Sequence, residues 1–188
     1  MESVLIVSCT GKSAAFFTEI LNEASVNQIT VIQSGREARR AIAEQDFDLV
    51  VVDAPLGDES GESLCRHVAA NLSQVILAVA SESFDSVSSA CEGHGILTIA
   101  KPASREMFSS ALSLAKSARN SIRRIQAENA KLKQKIEDIR IIDRAKCLLI
   151  SYLNLSEQEA HKFIEKQAMD LRTTKRGIAE GILKTYAS

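Results

Sequence analysis

The strongest constraint on the fold is a repeated alternation over the first 117 residues, in which short β-branched apolar runs exchange with stretches of helical spacing. The runs Val4–Val7, Ile29–Ile32, Leu49–Asp53, Val75–Ala80 and Leu97–Ile99 are almost continuously apolar. Strands buried on both faces of a parallel sheet read this way, whereas half-exposed strands alternate polar and apolar. Helical spacing falls between them at Ser13–Glu23, Arg36–Glu44, Glu62–Leu72 and Phe84–Cys91, and a last helix starts at Glu106. Gly35, Gly57, Gly61, Gly93 and Gly95 punctuate the connections. The expectation is an α/β domain over residues 1–117, a five-stranded parallel sheet with helices on both faces.

From Lys116 to Arg144 the chain has neither Pro nor Gly, and Ile122, Ile125, Leu132, Ile136 and Ile139 recur in steps of three and four around Asn129. That is a coiled-coil seam, and a polar Asn within it sets register and favours two strands. Residues 118–142 are therefore expected to be a coiled-coil linker forming a parallel homodimer. The alternative is a helix packed on its own α/β domain. Ten Lys/Arg between Lys116 and Lys146 leave only a narrow apolar stripe for that.

Residues 143–188 divide into three helical segments, Asp143–Tyr152, Ser156–Leu171 and Thr174–Tyr186, with Asn154 in the first break and Arg172-Thr173 in the second. Ser156 followed by Glu159 is a capping box that starts the middle helix. Leu148, Leu149, Leu155, Ala160, Phe163, Ile164, Ala168, Ile178, Ala179 and Ile182 can close a core, and Tyr152 reads as core before it reads as a base-stacking surface. A unit this small is marginal alone, so the coiled coil is expected to support it.

Charge divides the chain. Residues 1–104 carry 6 Lys/Arg against 14 Asp/Glu, net −8, and residues 105–188 carry 17 against 10, net +7. A polyanionic partner is expected at the C-terminal half. Cys9, Cys65, Cys91 and Cys147 form no CxxC pair and fall in stretches read as strand or helix, so they are read as reduced thiols with no structural metal. No apolar run approaches the roughly 20 residues that span a bilayer. The start lacks the pattern of a signal peptide, and the expected location is the cytoplasm, away from any membrane.

Asp53 ending the third strand, Gly61 beyond it and Lys101-Pro102 closing the fifth strand together resemble the response-regulator receiver domain, a flavodoxin-like fold. The resemblance implies Asp53 as phosphoacceptor, Lys101 as its partner, Ser81 as the switch hydroxyl, a histidine kinase or sensor protein as partner, and Mg²⁺ held by acidic residues after the first strand. Here Ser8-Cys9 stand in place of the acidic pair, offering no hard carboxylate oxygen, and only an unusual loop would let Asp58 or Glu59 substitute. The expectation is a pseudo-receiver that docks or dimerises without Mg²⁺ and with no cofactor.

At Asp143-Arg144-Ala145-Lys146-Cys147-Leu148-Leu149, Leu155-Ser156-Glu157-Gln158-Glu159-Ala160 and Gly177-Ile178-Ala179-Glu180-Gly181-Ile182-Leu183 the chain resembles the ANTAR domain, with Cys147 where the family has glycine. The resemblance implies RNA binding to paired hairpins in an mRNA leader and transcription antitermination. Arg144 and Lys146, and Arg172, Thr173, Thr174, Lys175 and Arg176 around the last turn, are the candidate phosphate contacts. Lys162 and Lys166 rank behind them. Two rival readings are a DNA-binding response regulator, for which the last helix carries few side chains able to read base edges, and a coiled-coil protein adaptor. An enzyme is not expected, because His67, His94 and His161 are isolated and no phosphate loop is present.

Overall fold

The computed structural model describes residues 1–70 and 73–186, in two compact units, Met1–Arg123 and Arg124–Ser188. The first is a parallel sheet in the order β2-β1-β3-β4-β5, with β1 Ser3–Val7, β2 Gln28–Ile32, β3 Leu49–Asp53, β4 Gln74–Ala80 and β5 Ile96–Lys101. Its helices are α1 Gly11–Glu23, α2 Gly35–Glu44, α3 Glu62–Ala70, α4 Phe84–Glu92 and the start of α5, Arg105–Leu153. The expected α/β sheet is thus present, with element ends within a residue or two of expectation. The expected end of α3 at Leu72 lies outside the described residues.

The continuous apolar strands are explained by two cores. Leu5, Val7, Val50, Val52, Val75 and Leu77 face Ala38, Leu64, Cys65, Val68 and Cys91 from α2, α3 and α4. Their neighbours Val4, Ile6, Leu49, Val51, Ile76 and Ala78 face Phe17, Ile20 and Leu21 of α1 and Phe108, Ala111, Leu112 and Ala115 of α5. Successive side chains point to opposite faces, so both parities must be apolar. Burial also pushes the Cys65 thiol far above its ordinary value, in keeping with an inert, reduced core residue. Cys9 differs from expectation. It is exposed in the β1–α1 loop and not in a strand.

At the N-terminal end of β3, Asp48 is 4 % exposed and accepts hydrogen bonds from the backbone N–H groups of Glu2 and Ser3, while Arg119 and Arg123 of α5 reach it at 2.6 and 2.8 Å. Burial disfavours its charge, but the Glu2 N–H and the two guanidiniums outweigh burial and hold the carboxyl below its ordinary value. Asp48→Asn should cost about 2 kcal/mol, less than a fully buried pair because Arg123 is half exposed. A depressed folded pKa stabilises above the unfolded value and loses its contribution as pH falls through the folded one. The wild-type advantage should therefore be flat above about pH 5 and fade at more acid pH. Urea melts of both proteins across pH 3 to 7 check this, and a difference that persists to the acid end would contradict it.

The second unit packs the last turns of α5 against α6, Glu157–Asp170, and α7, Lys175–Tyr186. Its core is Ala145, Leu149, Ala160, Ile164, Ala179 and Ile182, with Leu148, Leu155 and Ile178 partly buried. The Ser156–Glu159 capping box is present in both directions. Asn154 and Arg172 take positive φ, 52° and 48°, at the two breaks. Residues 118–142, expected as a separate linker, form the middle of α5.

Two core expectations are corrected. Phe163 is 38 % exposed, because the α6 stripe Ala160, Ile164, Ala168 follows a four-residue step and Phe163 sits about 100° around the helix from it. Tyr152 is 61 % exposed at the end of α5, its ring 5.2 Å from that of Tyr186.

Candidate functional site

The strands of a parallel sheet end together, and their C-terminal ends bring Ser8, Asp53 and Lys101 side by side although more than 40 residues separate each from the next. Asp53 is 2 % exposed. Its Oδ1 accepts from Lys101 Nζ at 2.8 Å, and its Oδ2 accepts from Ser8 Oγ at 2.8 Å and Thr10 Oγ1 at 3.3 Å. Lys101 also donates to the Ala54 carbonyl. Burial opposes the charge on Asp53, yet the hydrogen bonds from Lys101 and Ser8, with the Lys101 charge, keep the carboxyl below its usual range. Of the expected trio, Ser81 stands apart, its hydroxyl donating to the Lys101 carbonyl at 2.7 Å.

Mg²⁺ needs hard oxygens in near-octahedral array, normally including one or two carboxylates. Beside Asp53 the chain offers the hydroxyls of Ser8 and Thr10 and, at Cys9, a thiol directed to the Pro55 carbonyl at 3.6 Å. Both Asp53 oxygens already accept hydrogen bonds. Nor do the other acids help. Asp58 caps the start of α2, accepting from Gly35 and Arg36 N–H at 2.9 and 3.0 Å, and Glu59 pairs with Arg39. Glu59 lies so close to Gly35 that a Cβ there would meet its Oε1 at 2.0 Å and the side chain would have to shift. With hydroxyls where the acidic pair would stand and Asp53 as the carboxylate at these strand ends, this is a poor donor set for magnesium.

In the second unit the proposed phosphate contacts separate. Arg172, Thr173 and Lys175 line one cleft with Met169 and Glu165, and Arg144 lines another with Asp143, Cys147, Leu148 and Leu183. Arg172 and Arg144 are exposed. Lys175 pairs with Glu165 at the surface. Thr174 caps α7, its Oγ1 accepting from Gly177 N–H at 3.1 Å. Lys146 and Arg176 are occupied differently. Lys146 lies between Asp143 and Glu157 at 2.8 and 2.9 Å, and Arg176 between Asp138 and Glu180 at 2.8 and 2.7 Å. Both tie helices of the bundle together. On α5, Ile125, Leu132, Ile136 and Ile139 are 52–58 % exposed and Ile122 is half-buried, while Asn129 Nδ2 donates to the Ile125 carbonyl at 3.1 Å.

Sequence reasoning missed the Ser8 and Thr10 bonds to Asp53, the capping role of Asp58 and the Asp48–Arg119–Arg123 cluster. No local spacing signals any of them, because each joins residues tens of positions apart.

Comparison with known proteins agrees with this geometry. The response regulator receiver domain family matches residues 4–113, and the ANTAR domain family matches residues 130–183. The transcriptional regulatory protein PdtaR of Mycobacterium tuberculosis is 28 % identical over 171 residues, covering 90 % of this chain and 83 % of that one. The chemotaxis response regulator CheY4 of Vibrio cholerae superposes with a TM-score of 0.54 at 18 % identity, over 61 % of this chain and 98 % of its own. The signal receiver domain of an HD domain-containing protein from Pseudomonas fluorescens Pf-5 gives 0.59 at 18 % identity, over 65 % and 92 %. Among the described residues no helix is long and apolar enough to cross a membrane. With the sheet order, the Asp53–Lys101 pair and the helical C-terminal unit, these matches establish that the chain belongs to the response regulator receiver family and carries an ANTAR domain behind the receiver.

Proposed function

We propose that this chain is a cytoplasmic transcription antitermination regulator whose dimer holds paired hairpins of nascent mRNA, one in each ANTAR domain. The observation that carries the reading is the exposed α6–α7 turn, where Arg172 and Lys175 flank two threonines at the start of a helix. Cations and hydroxyls so placed suit phosphate oxygens, and RNA sequence is normally read in unpaired loops that such a turn can reach. Lys146 and Arg176 hold the bundle together and serve the RNA surface indirectly.

Gel shifts with twin-hairpin RNA, single-hairpin RNA and duplex DNA test it. Alanine at Arg144, Arg172 and Lys175 together should weaken twin-hairpin binding about tenfold to a thousandfold and flatten the salt dependence, with the melting transition unchanged. Equal binding of the variant to RNA, or preference for duplex DNA, would overturn the proposal.

The receiver unit, on the same reading, is a pseudo-receiver that works without Asp53 phosphorylation. Its support is the absence of a fitting magnesium donor set beside a carboxylate already engaged by Ser8, Thr10 and Lys101. Incubation with a small phosphodonor and Mg²⁺ should give no stable adduct by mass spectrometry. Stoichiometric modification of Asp53 would refute it.

A further inference from the structure

We infer that the cleft beside Asp53 is a binding site for a small amphipathic monoanion, a single apolar ring bearing one carboxylate. The cleft is open to solvent, holds about 250 Å³ between α1 and the β5–α5 loop, and is lined by Lys12, Ser13, Phe16, Phe17, Pro102 and Ala103 with Lys101 and the nearly buried Asp53. This is below the roughly 300–1,000 Å³ of sites for drug-sized molecules, so it suits one ring and a short acid. Its accessible apolar lining is Phe16, Pro102 and Ala103, with Phe17 almost wholly buried, a surface that favours an apolar body over a hydrated ion.

The charges select the head group. Lys12 and Lys101 stand against Asp53 in the lining, two positive charges against one negative, so a single anionic group neutralises the cleft and a dianion overshoots. Lys101 spends two of its three N–H donors on Asp53 and Ala54, leaving the third for a ligand oxygen. Lys12 supplies an exposed ammonium at the rim. Asp53 does not repel the ligand head as a bare carboxylate would, since Lys101, Ser8 and Thr10 already engage both of its oxygens.

The site also has a route outward within its own unit. Phe17 lies 4.8 Å and Phe16 6.4 Å, centroid to centroid, from Phe108 in the first turns of α5. A ring seated on the partly exposed Phe16 lies beside the aromatic cluster that anchors the start of that helix.

Titration of the full chain with phenylacetate, followed by calorimetry and ligand-observed NMR without RNA, tests the site independently of the antitermination reading. Phenylacetate should bind saturably with a Kd of about 1 mM or tighter, the range open to so small a ligand. Inorganic phosphate, which has charge without a ring, and benzyl alcohol, which has a ring without charge, should each bind at least about tenfold more weakly. Lys12→Glu, at an exposed position, should weaken phenylacetate about tenfold or more. Ala103→Phe, which fills the cleft, should abolish binding; if that variant unfolds, Lys12→Glu decides. The inference is overturned if phenylacetate shows no saturable binding, if phosphate binds as well, or if binding survives Lys12→Glu unchanged.

Discussion

Replacing Leu132 and Ile136 by lysine should convert the proposed dimer to a monomer and, on the antitermination reading, lower affinity for twin-hairpin RNA by about a hundredfold to ten-thousandfold, while single-hairpin affinity stays within about twofold. The seam residues Ile125, Leu132, Ile136 and Ile139 recur on α5 and leave half or more of their surface in water in a single chain. Full burial of one such side chain contributes roughly 1.5–3 kcal/mol, so completing the burial of four half-exposed ones per chain yields several kcal/mol toward pairing two such helices. Two lysines at the centre of the stripe remove that gain and add like-charge repulsion. On the proposed reading the RNA effect follows from linkage: the second hairpin would bind at an effective concentration set by the tether, and a monomer would forfeit it without losing a single contact. Sedimentation equilibrium and gel shifts with one and two hairpins measure both effects. A variant that stays dimeric, or a wild type indifferent to hairpin number, would sink the proposal.

The second large effect concerns the ANTAR core. Leu149→Ala should destabilise the C-terminal unit by about 3 kcal/mol and leave the receiver sheet folded. Leu149 is 1 % exposed, and it meets a core otherwise built largely from small residues, Ala145, Ala160 and Ala179, with Ile164 and Ile182 as its main bulky partners. Removing it opens a cavity that alanines cannot fill. A three-helix unit of this size has few kcal/mol to spare, so the loss should unfold a large fraction of α6 and α7 at 37 °C. Hydrogen exchange resolved by segment should show protection lost from 157 to 186 and kept in β1, β3 and β4. Uniform loss across both units would mean that they unfold together.

Much of the receiver was legible because its signal is local. Val4–Val7 or Val50–Val52 can be read as buried strands without knowing any partner, since a strand covered on both faces must be apolar at every position. The capping box at Ser156 and Glu159 was legible for the same reason, the two residues being three apart. Phe163 and Tyr152 were misread because an aromatic on a helix reports hydrophobicity without saying which way it faces. The stripe that faces the core in α6 is carried by Ala160, Ile164 and Ala168.

The candidate sites divide along the same line. Asp53 and Lys101 could be picked out by their places at strand ends, and Arg172 and Lys175 by their place before a helix. What those residues do was decided by neighbours distant in sequence. Ser8 reads as a missing carboxylate but is, in the fold, a hydrogen-bond donor to Asp53 across 45 residues. Arg176 reads as an RNA contact, yet Asp138, 38 residues earlier, engages its guanidinium. From the sequence by itself follow the strand and helix order, the parallel sheet, the heptad seam and the split of charge, because each rests on periodicity or composition within a window of one element. Tertiary structure alone decided which polar groups meet, which cations stay open to a ligand and what cleft lies beside Asp53. Those outcomes depend on pairings between strand ends and helix faces that no local window contains.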